Sequence, residues 1–526
     1  MKLIFSTLAI VLLAACAFAQ FAPYSYQIQG GRNSLDATTP EPRLVSNVII
    51  DIKPETLDSL WLGTGNGLTR VVVNASDIRS SRFESFTTAE GMGKGGTSGL
   101  LVTDSIIWAS FAFDTSVGIS GAGDGLVYSR DHGQNWVHFP QPRDPNYHHF
   151  TADGYDSTLG YWPTTTNVDN ITYDIAMSDS FVWTASKGGG LRKHAFAADY
   201  TDYNDTTGWR VVSPLVLDDG RSLPFHPGDP SEGLIHRDFS VIFADSTLYV
   251  GTAAGILRST NEGRTWHNVH SGRNSISGNF VTAMDYQPAT HSVWAATWRA
   301  ESADEYYAVS KSTDGGVTWH VYLDSAQVVQ SIGQFQTVRA HSFGFSQTGD
   351  TVYVCDDLGL WKSPDGGAHW ALFTGIRDAG TGHQLGEAQM YAAYSDSVSR
   401  LWAGGTDGLA ETANSGYSWT IFQAAYPLSA GNGRAADTYA YPNPWSPQRF
   451  GPIKLRYTTS GGAVKVTLYD MAMSKVVELP SVQRPAGEQY ETWDGRKNGT
   501  VVANGTYFYK ISKPGGDVWG KLIVLD

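Results

Sequence analysis

From residue 45 to about residue 425 the chain is written in short apolar runs, each cut by Gly, Asn, Asp or Ser. One kind of run keeps returning: an aliphatic residue, then Trp or Tyr, then small residues. It occurs at Leu60-Trp61, Ile107-Trp108, Val182-Trp183, Leu248-Tyr249, Val293-Trp294, Val352-Tyr353 and Leu401-Trp402. Short runs rich in aromatic and β-branched residues and bounded by turn formers predict strands. In the first unit the strands are expected at Val45–Ile52, Ser59–Thr64, Gly67–Val73 and Arg82–Phe86. Each of the seven centres is read as the second strand of a four-stranded unit.

The punctuation between third and fourth strands is itself repeated. Ser312, Asp314, Gly316 and Trp319 share their spacing with Ser259, Asn261, Gly263 and Trp266, and with Ser363, Asp365, Gly367 and Trp370. Ser129, Asp131, Gly133 and Trp136 make a fourth copy; Thr412, Asn414, Gly416 and Trp419 make a looser fifth. From Trp266 onward the tryptophans recur about every 50 residues, a period of propellers and other repeat arrays. The Ser and Asp side chains can bond nearby backbone N–H groups, and Gly supplies a positive φ without steric cost. The Trp then opens the next strand with a large apolar body.

This box resembles the Asp-box, Ser-x-Asp-x-Gly-x-Thr-Trp, of sialidases, some glucanases, sortilin-type receptors and photosystem assembly propellers. The stretch Leu60–Leu68 is similar to the repeats of two-component regulator propellers. The resemblance implies a β-propeller in which the boxes are structural turns on the face away from any ligand. The expected fold class is all-β: a seven-bladed β-propeller over residues 44–430, followed by a small Ig-like β-sandwich. Closing such strands into a ring leaves few free sheet edges.

Two connections break the period, residues 140–169 and 214–235, both rich in Pro, Gly, His and aromatics. The second-to-third strand connections at 111–125 and 297–307 are long too. All emerge on the rim opposite the boxes, and long loops on a rigid scaffold are where function concentrates. Arg237, Arg299 and Arg339 fall at comparable places in successive units, and a planar guanidinium suits a carboxylate. In a sialidase-like reading, Asp238, Glu301, Asp304 and Glu305 supply acid and base, with Tyr306 or Tyr307 as nucleophile. Against it, the arginine motif that opens sialidases is absent; Glu41-Pro42-Arg43-Leu44 stands in that region. Tyr147 and Trp162, with Tyr155, Tyr161 and Phe225, are placed to stack on sugar rings or grip a peptide. His148, His149, Asp153, His226 and His236 match no metal-ligand spacing, and the Gly-rich pieces lack the strand-to-helix context of a phosphate loop. No metal or cofactor is expected.

Composition narrows the partners. The formal net charge over 526 residues is −14, which argues against nucleic acid and against an anionic membrane surface. Met1–Ala19 reads as a signal peptide, leaving residues 20–43 as an N-terminal segment. Two processing sites compete: Ala17-Phe18-Ala19 for ordinary secretion, and Leu13-Ala14-Ala15-Cys16, similar to a lipobox, for lipoprotein anchoring through Cys16. No later apolar run approaches the roughly 20 residues of a membrane span. Cys355, inside an apolar run, is expected to be a buried small hydrophobe.

Past Ala435 the boxes stop and alternating strands begin. Tyr441-Pro442-Asn443-Pro444, Trp493-Asp494-Gly495 and Gly505-Thr506-Tyr507-Phe508-Tyr509 resemble the flagellar-hook-cap Ig-like domain and the C-terminal sorting domains of type IX secretion cargo. That resemblance implies export across an outer membrane, with residues 435–526 as address or anchor. The sequence therefore reads as a secreted or cell-surface binding or scaffold protein for extracellular polysaccharide or a surface protein. Its rivals are a glycoside hydrolase and a purely structural assembly part.

Overall fold

The computed structural model describes residues 44–525 except 116–120, 145–149, 153–154, 158–160, 196–208, 273, 374, 386–388, 397–399, 425–437, 449 and 451. The leader, Cys16 and Tyr147 lie outside the described residues. So do His148, His149 and Asp153.

Up to Phe422 the chain repeats an antiparallel meander, and seven four-stranded sheets of this kind occur among the described residues. The first consists of Ile49–Thr56, Ser59–Thr64, Leu68–Val72 and Arg82–Phe86. The opening strands of the sheets are Ile49–Thr56, Gly96–Val102, Thr172–Met177, Asp238–Ala244, Phe280–Gln287, Ala340–Phe345 and Met390–Ser395. Each touches the next, and the last touches the first. The architecture is a β-propeller.

The second strand of every sheet buries its aromatic centre completely: Trp61, Trp108, Trp183, Tyr249, Trp294, Tyr353 and Trp402 are at most 2% exposed. They fill the wedge between neighbouring sheets, where a flat ring buries the most apolar surface. Cys355 lies beside this layer, fully buried, and burial pushes its thiol up to about 12.

All five box turns share one hydrogen-bond pattern. Ser312 Oγ donates to Asp314 Oδ1 at 2.8 Å and accepts from Gly316 N at 2.8 Å, while Asp314 Oδ1 accepts from Thr318 N at 2.9 Å. The same three bonds recur at residues 129–135, 259–265, 363–369 and 412–418. Where Asn replaces Asp, at 261 and 414, the amide oxygen accepts in its place.

The closing seam exchanges no strand among the described residues: first and last sheets are each built from contiguous chain. Side chains close it instead. Phe83 and Phe422 meet with ring centroids 5.3 Å apart. Arg79 Nη2 reaches Asp378 Oδ1 at 2.6 Å, and Ala424 N donates to Asn47 Oδ1 at 2.7 Å.

Three sequence expectations are corrected. The first inner strand begins at Ile49, not Val45, because residues 44–48 run as an irregular lead-in. The second-to-third connection expected at 111–125 is a strand extension: Ile107–Asp114 and Gly121–Ser129 stay paired out to Asp114 and Gly121. Between the fifth and sixth sheets stands an unforeseen α-helix, Ser325–Ile332, with a capping box from Asp324 and Gln327 and a left-handed Gly333 at its end. Among the described residues no helix is long and apolar enough to cross a membrane.

From Thr438 two further antiparallel sheets form a sandwich around one core that includes Trp445, Leu455, Tyr457, Val466, Trp493, Tyr509 and Leu522. Tyr441 ties this unit to the propeller, its hydroxyl donating to Asp407 Oδ1 at 3.1 Å and accepting from Asn47 Nδ2.

Two adjacent glycines test the box geometry. Gly366 has φ +70° with open space at its Cβ position, whereas a Cβ on Gly367, at φ +107°, would meet Tyr322 Cδ1 at 2.4 Å. Gly366→Ala is expected to cost only the backbone term, about 1 kcal/mol. Gly367→Ala adds overpacking and is expected to cost about 2–4 kcal/mol. Thermal and denaturant unfolding of both variants measures the difference, and equal losses would contradict it.

Candidate functional site

Strand order fixes what each face of the ring carries. The box turns emerge on one face; the second-to-third turns and the connections between sheets emerge on the other. On this second face, the loop face, every inner strand slips register by one residue near its start. The slips fall between 49 and 51, 97 and 99, 172 and 174, 238 and 240, 281 and 283, 340 and 342, and 390 and 392. A bulge leaves one residue outside the ladder and re-aims its side chain. The residues set free are Ile50, Ser98, Tyr173, Phe239, Thr282, His341 and Tyr391, and all seven line the central cavity of about 560 Å³.

Aromatic rings form an arc around this mouth across five consecutive sheets. Centroid distances run Tyr173–Phe239 5.6 Å, Phe239–Phe280 4.7 Å, Phe280–Trp298 6.1 Å, Trp298–His341 5.9 Å and His341–Tyr391 5.1 Å. His341 Nε2 lies 2.8 Å from Asp357 Oδ1, which fixes the imidazole plane. Asp357 is also 3.8 Å from Arg339 Nη1, and the Arg339 guanidinium sits 5.4 Å from the Tyr307 ring centre. Phe239, Phe280, Trp298 and His341 are buried, so the mouth offers mainly the half-buried Tyr173 and Tyr391 with a few polar groups beside them.

Deeper in, charge replaces aromaticity. Lys53 Nζ, from the first sheet, is 3.4 Å from Asp51 and 3.9 Å from Asp285 of the fifth sheet, so an ion pair spans the channel. Asp174 accepts from Ser240 Oγ at 2.8 Å and Val241 N at 2.9 Å, and Ser240 Oγ accepts from Met284 N at 3.0 Å. Those bonds staple the third, fourth and fifth sheets. Burial raises the pKa of Asp51 and Asp285, against the pull of Lys53. It raises Asp174 to about 7 despite its hydrogen bonds. Burial presses Lys53 down, but the three carboxylates outweigh it and hold the ammonium above its usual range.

The residues singled out from sequence scatter. Asp238 is 1% exposed at the start of an inner strand, and burial pushes its carboxyl well above the usual range. It is a buried carboxyl rather than a rim charge, and it does not join the exposed Glu301 and Asp304. Glu305 is buried too, accepting from Asn279 N at 3.1 Å, Asn279 Nδ2 at 2.9 Å and Ala300 N at 2.6 Å. Arg237 turns inward, its Nε and Nη2 donating to Pro227 O at 3.1 and 3.0 Å. Arg299 is exposed, and Arg339 sits over Tyr307 and pairs with Asp357, the partner of the channel residue His341. Trp162 is 58% exposed and meets His226 edge-on at 4.7 Å, whereas Phe225 is buried. Asp304 and the half-exposed Tyr306 line a separate cavity on the flank of the fifth sheet. Among the described residues no group of three His, Cys, Asp or Glu side chains is placed to hold a metal ion.

Sequence reasoning missed the bulge residues. Their shared signal is position, just inside each inner strand; their types run from Ser to Tyr, so no motif marks them.

Asp174 gives the site a pH signature. Its folded pKa near 7 lies above the ordinary 3.8, so the folded protein holds a proton that the unfolded chain has released. That contribution to stability is complete below about pH 4 and is lost as pH rises through 7. Asp174→Asn is expected to flatten this part of the melting-temperature profile between pH 4 and 7, read as the difference from the parent. A difference that stays constant across that window would contradict it.

No protein-family model matches the sequence, and no curated protein matches it. Among solved structures the chain is similar to PorZ of Porphyromonas gingivalis, an essential bacterial surface component of the type-IX secretion system, at 14% identity and a TM-score of 0.32. That match covers 89% of this chain and 64% of PorZ, so the chain spans less than two thirds of that structure. YCF48 from Cyanidioschyzon merolae is matched at 14% identity and a TM-score of 0.41, over 72% of this chain and 98% of its own. Virginiamycin B lyase from Staphylococcus aureus is matched at 9% identity and a TM-score of 0.41, over 70% of this chain and 94% of its own.

Proposed function

We propose that this chain is a secreted or cell-surface binding and scaffold protein. It takes an extracellular polysaccharide or a surface protein at the loop face of a seven-bladed Asp-box propeller. Residues 435–526 form an Ig-like domain that serves export or anchoring, after removal of the leader. The observation that carries this reading is the pair of half-buried tyrosines, Tyr173 and Tyr391, among the bulge residues that line the central cavity. Rings with a polar handle give large contact area at low conformational cost, and they dominate recognition surfaces.

Two further features support it. Trp162, Tyr306 and Phe335, respectively 58%, 46% and 74% exposed, all stand on connections of the same face. Their chemistry suits sugar rings and peptide side chains alike. The burial of Asp238 and the backbone commitments of Glu305 remove two of the four carboxylates a hydrolase would draw on. Arg299 and Arg339 remain as cationic groups for a polar ligand.

The test is a screen of the full chain against an extracellular polysaccharide array, a panel of surface proteins and chromogenic glycosides, beside Tyr391→Ala. Binding without turnover is expected, weakened about tenfold or more by Tyr391→Ala at an unchanged melting temperature. Glycoside turnover by the parent would overturn the binding reading in favour of a hydrolase. Binding insensitive to Tyr391→Ala would remove the channel mouth as the site.

A further inference from the structure

We infer that Asp245, Tyr286 and His291 form a site for one transition-metal ion, copper(II) by the chemistry of the set, where the fourth and fifth sheets meet on the box face. This is a different surface from the channel mouth, and the site is independent of what binds there.

Three fixed pieces of backbone bring these side chains together. Asp245 and Ser246 make the two-residue turn between the first and second strands of the fourth sheet, closed by the pair Ala244 and Thr247. Both hold positive φ, +47° and +63°, as the favoured tight hairpin turn requires. Tyr286 stands one residue before the end of the inner strand Phe280–Gln287, paired with Val293. His291 caps the short turn Pro288–Thr290 that follows, in the left-handed conformation at φ +48° and ψ +41°. Asp245 therefore approaches from one sheet, and Tyr286 and His291 from the next.

The ligating atoms converge in a triangle. Tyr286 Oη donates to Asp245 Oδ2, and His291 Nδ1 lies 2.9 Å from Asp245 Oδ2 and 2.9 Å from Tyr286 Oη. Two ligand atoms about 2.1 Å from a shared ion and at right angles stand about 3 Å apart, so the triangle has the dimensions of one face of a coordination sphere. Hydrogen bonds alone leave it incomplete. The phenol carries one proton and Nδ1 at most one, and each serves best along a straight donor–acceptor line. With both aimed at Asp245, the edge between Tyr286 and His291 has no proton of its own. One cation above the triangle meets all three lone pairs.

The surroundings fit an ion. The bonds from Tyr286 and His291 hold the Asp245 carboxyl below its usual range, so it is ionised at neutral pH. His291 and Asp245 are exposed, which leaves the outer side open to an ion and its waters, and Tyr286 also lines the central cavity. His, Cys, Asp and Glu alone make no group of three among the described residues; the tyrosine supplies the third ligand. An imidazole disfavours calcium and magnesium, and a mixed nitrogen and oxygen set holds copper(II) most tightly among the divalent first-row ions. Burial and the bond to Asp245 push the phenol up to about 12, so the ion displaces that proton rather than finding a phenolate ready. As the bond from Tyr286 Oη to copper forms, the phenol proton passes to solvent, while the Nδ1 proton is exchanged through water to Nε2. One proton is released per ion, and the copper keeps its oxidation state.

The test titrates the full chain with copper(II), and with zinc(II) and calcium beside it, by visible absorption and by calorimetry in two buffers of different protonation enthalpy. Variants are Tyr286→Phe, His291→Asn, Asp245→Asn and His267→Asn, the last a histidine paired with Asp218 elsewhere on the surface. Asparagine keeps the left-handed turns at 245 and 291. One copper(II) per chain is expected to bind more tightly than any other, with proton release and a phenolate-to-copper charge-transfer band. His291→Asn and Asp245→Asn should each weaken it about a hundredfold or more, because even partners behind the ligands are worth roughly 10–100-fold. Tyr286→Phe should abolish both the band and the proton release, and His267→Asn should change neither. A parent without the tight copper or without the band would overturn the inference. So would a band that survives Tyr286→Phe, a loss below about tenfold on His291→Asn, or tighter binding of zinc(II) or calcium than of copper(II). Should a variant not fold, the band and proton release of the parent still decide.

Discussion

The ring stands on one contact repeated between neighbours: a glycine, bare of side chain, set against an aromatic ring of the preceding sheet. Gly133 lies on Trp61, Gly263 on Trp183, Gly316 on Tyr249, Gly367 on Tyr322 and Gly416 on Phe373, each where an added Cβ would come within 2.9 Å of the ring. All five glycines have positive φ, which the Ser and Asp bonds of the box impose. Local turn chemistry and packing between sheets are therefore one requirement. The turn needs glycine for its φ, and the glycine lets the next sheet close on its neighbour. A four-stranded sheet alone would leave both faces wet; sheets set in a ring cover one another.

That constraint explains what the sequence made legible. The boxes and second-strand aromatics are local patterns whose residue types are dictated by φ, by hydrogen bonding and by wedge packing, so they repeat visibly. The helix Ser325–Ile332 carried its own signal in the Asp324 and Gln327 capping box and Gly333, but its two turns are too short to stand out among strand signals. The hairpin past Asp114 read as a loop because Ser, Gly and Ala dominate it, and only pairing to Gly121 makes it strand.

The candidate site was less legible, for a different reason. Residue chemistry can be read from a sequence, whereas convergence depends on register. Asp304 and Tyr306 were singled out for their types, and the fold brings both to one cavity. Asp238, one residue beyond the inward-turned Arg237, is carried into the core by the first pair of its strand, Asp238 with Thr252. A slip of one residue separates it from Phe239, which faces the channel. The bulge makes that choice, and no residue type announces a bulge.

The two faces of the ring are organised on different physical terms, and this bears on where a ligand can go. The box face is consumed by its own turns. The loop face is held by buried polar anchors: Arg192 grips Asp144 through two bonds of 2.8 and 2.9 Å, fixing the long connection after the second sheet, and Glu305 fixes the loop of the fifth. Such buried, fully bonded anchors hold the long loops in place over the ring. Behind the aromatic mouth, Lys53 bridges to Asp285 across the channel, with Asp51 and Asp174 alongside. Removing that ammonium would strand three carboxylates in a poorly solvated space, so the bridge is costly to open. A ligand entering from the loop face meets the bulge residues first and the ionic brace behind them. The exposed aromatics of the loop face, Trp162, Tyr306 and Phe335, stand on its connections rather than in the channel.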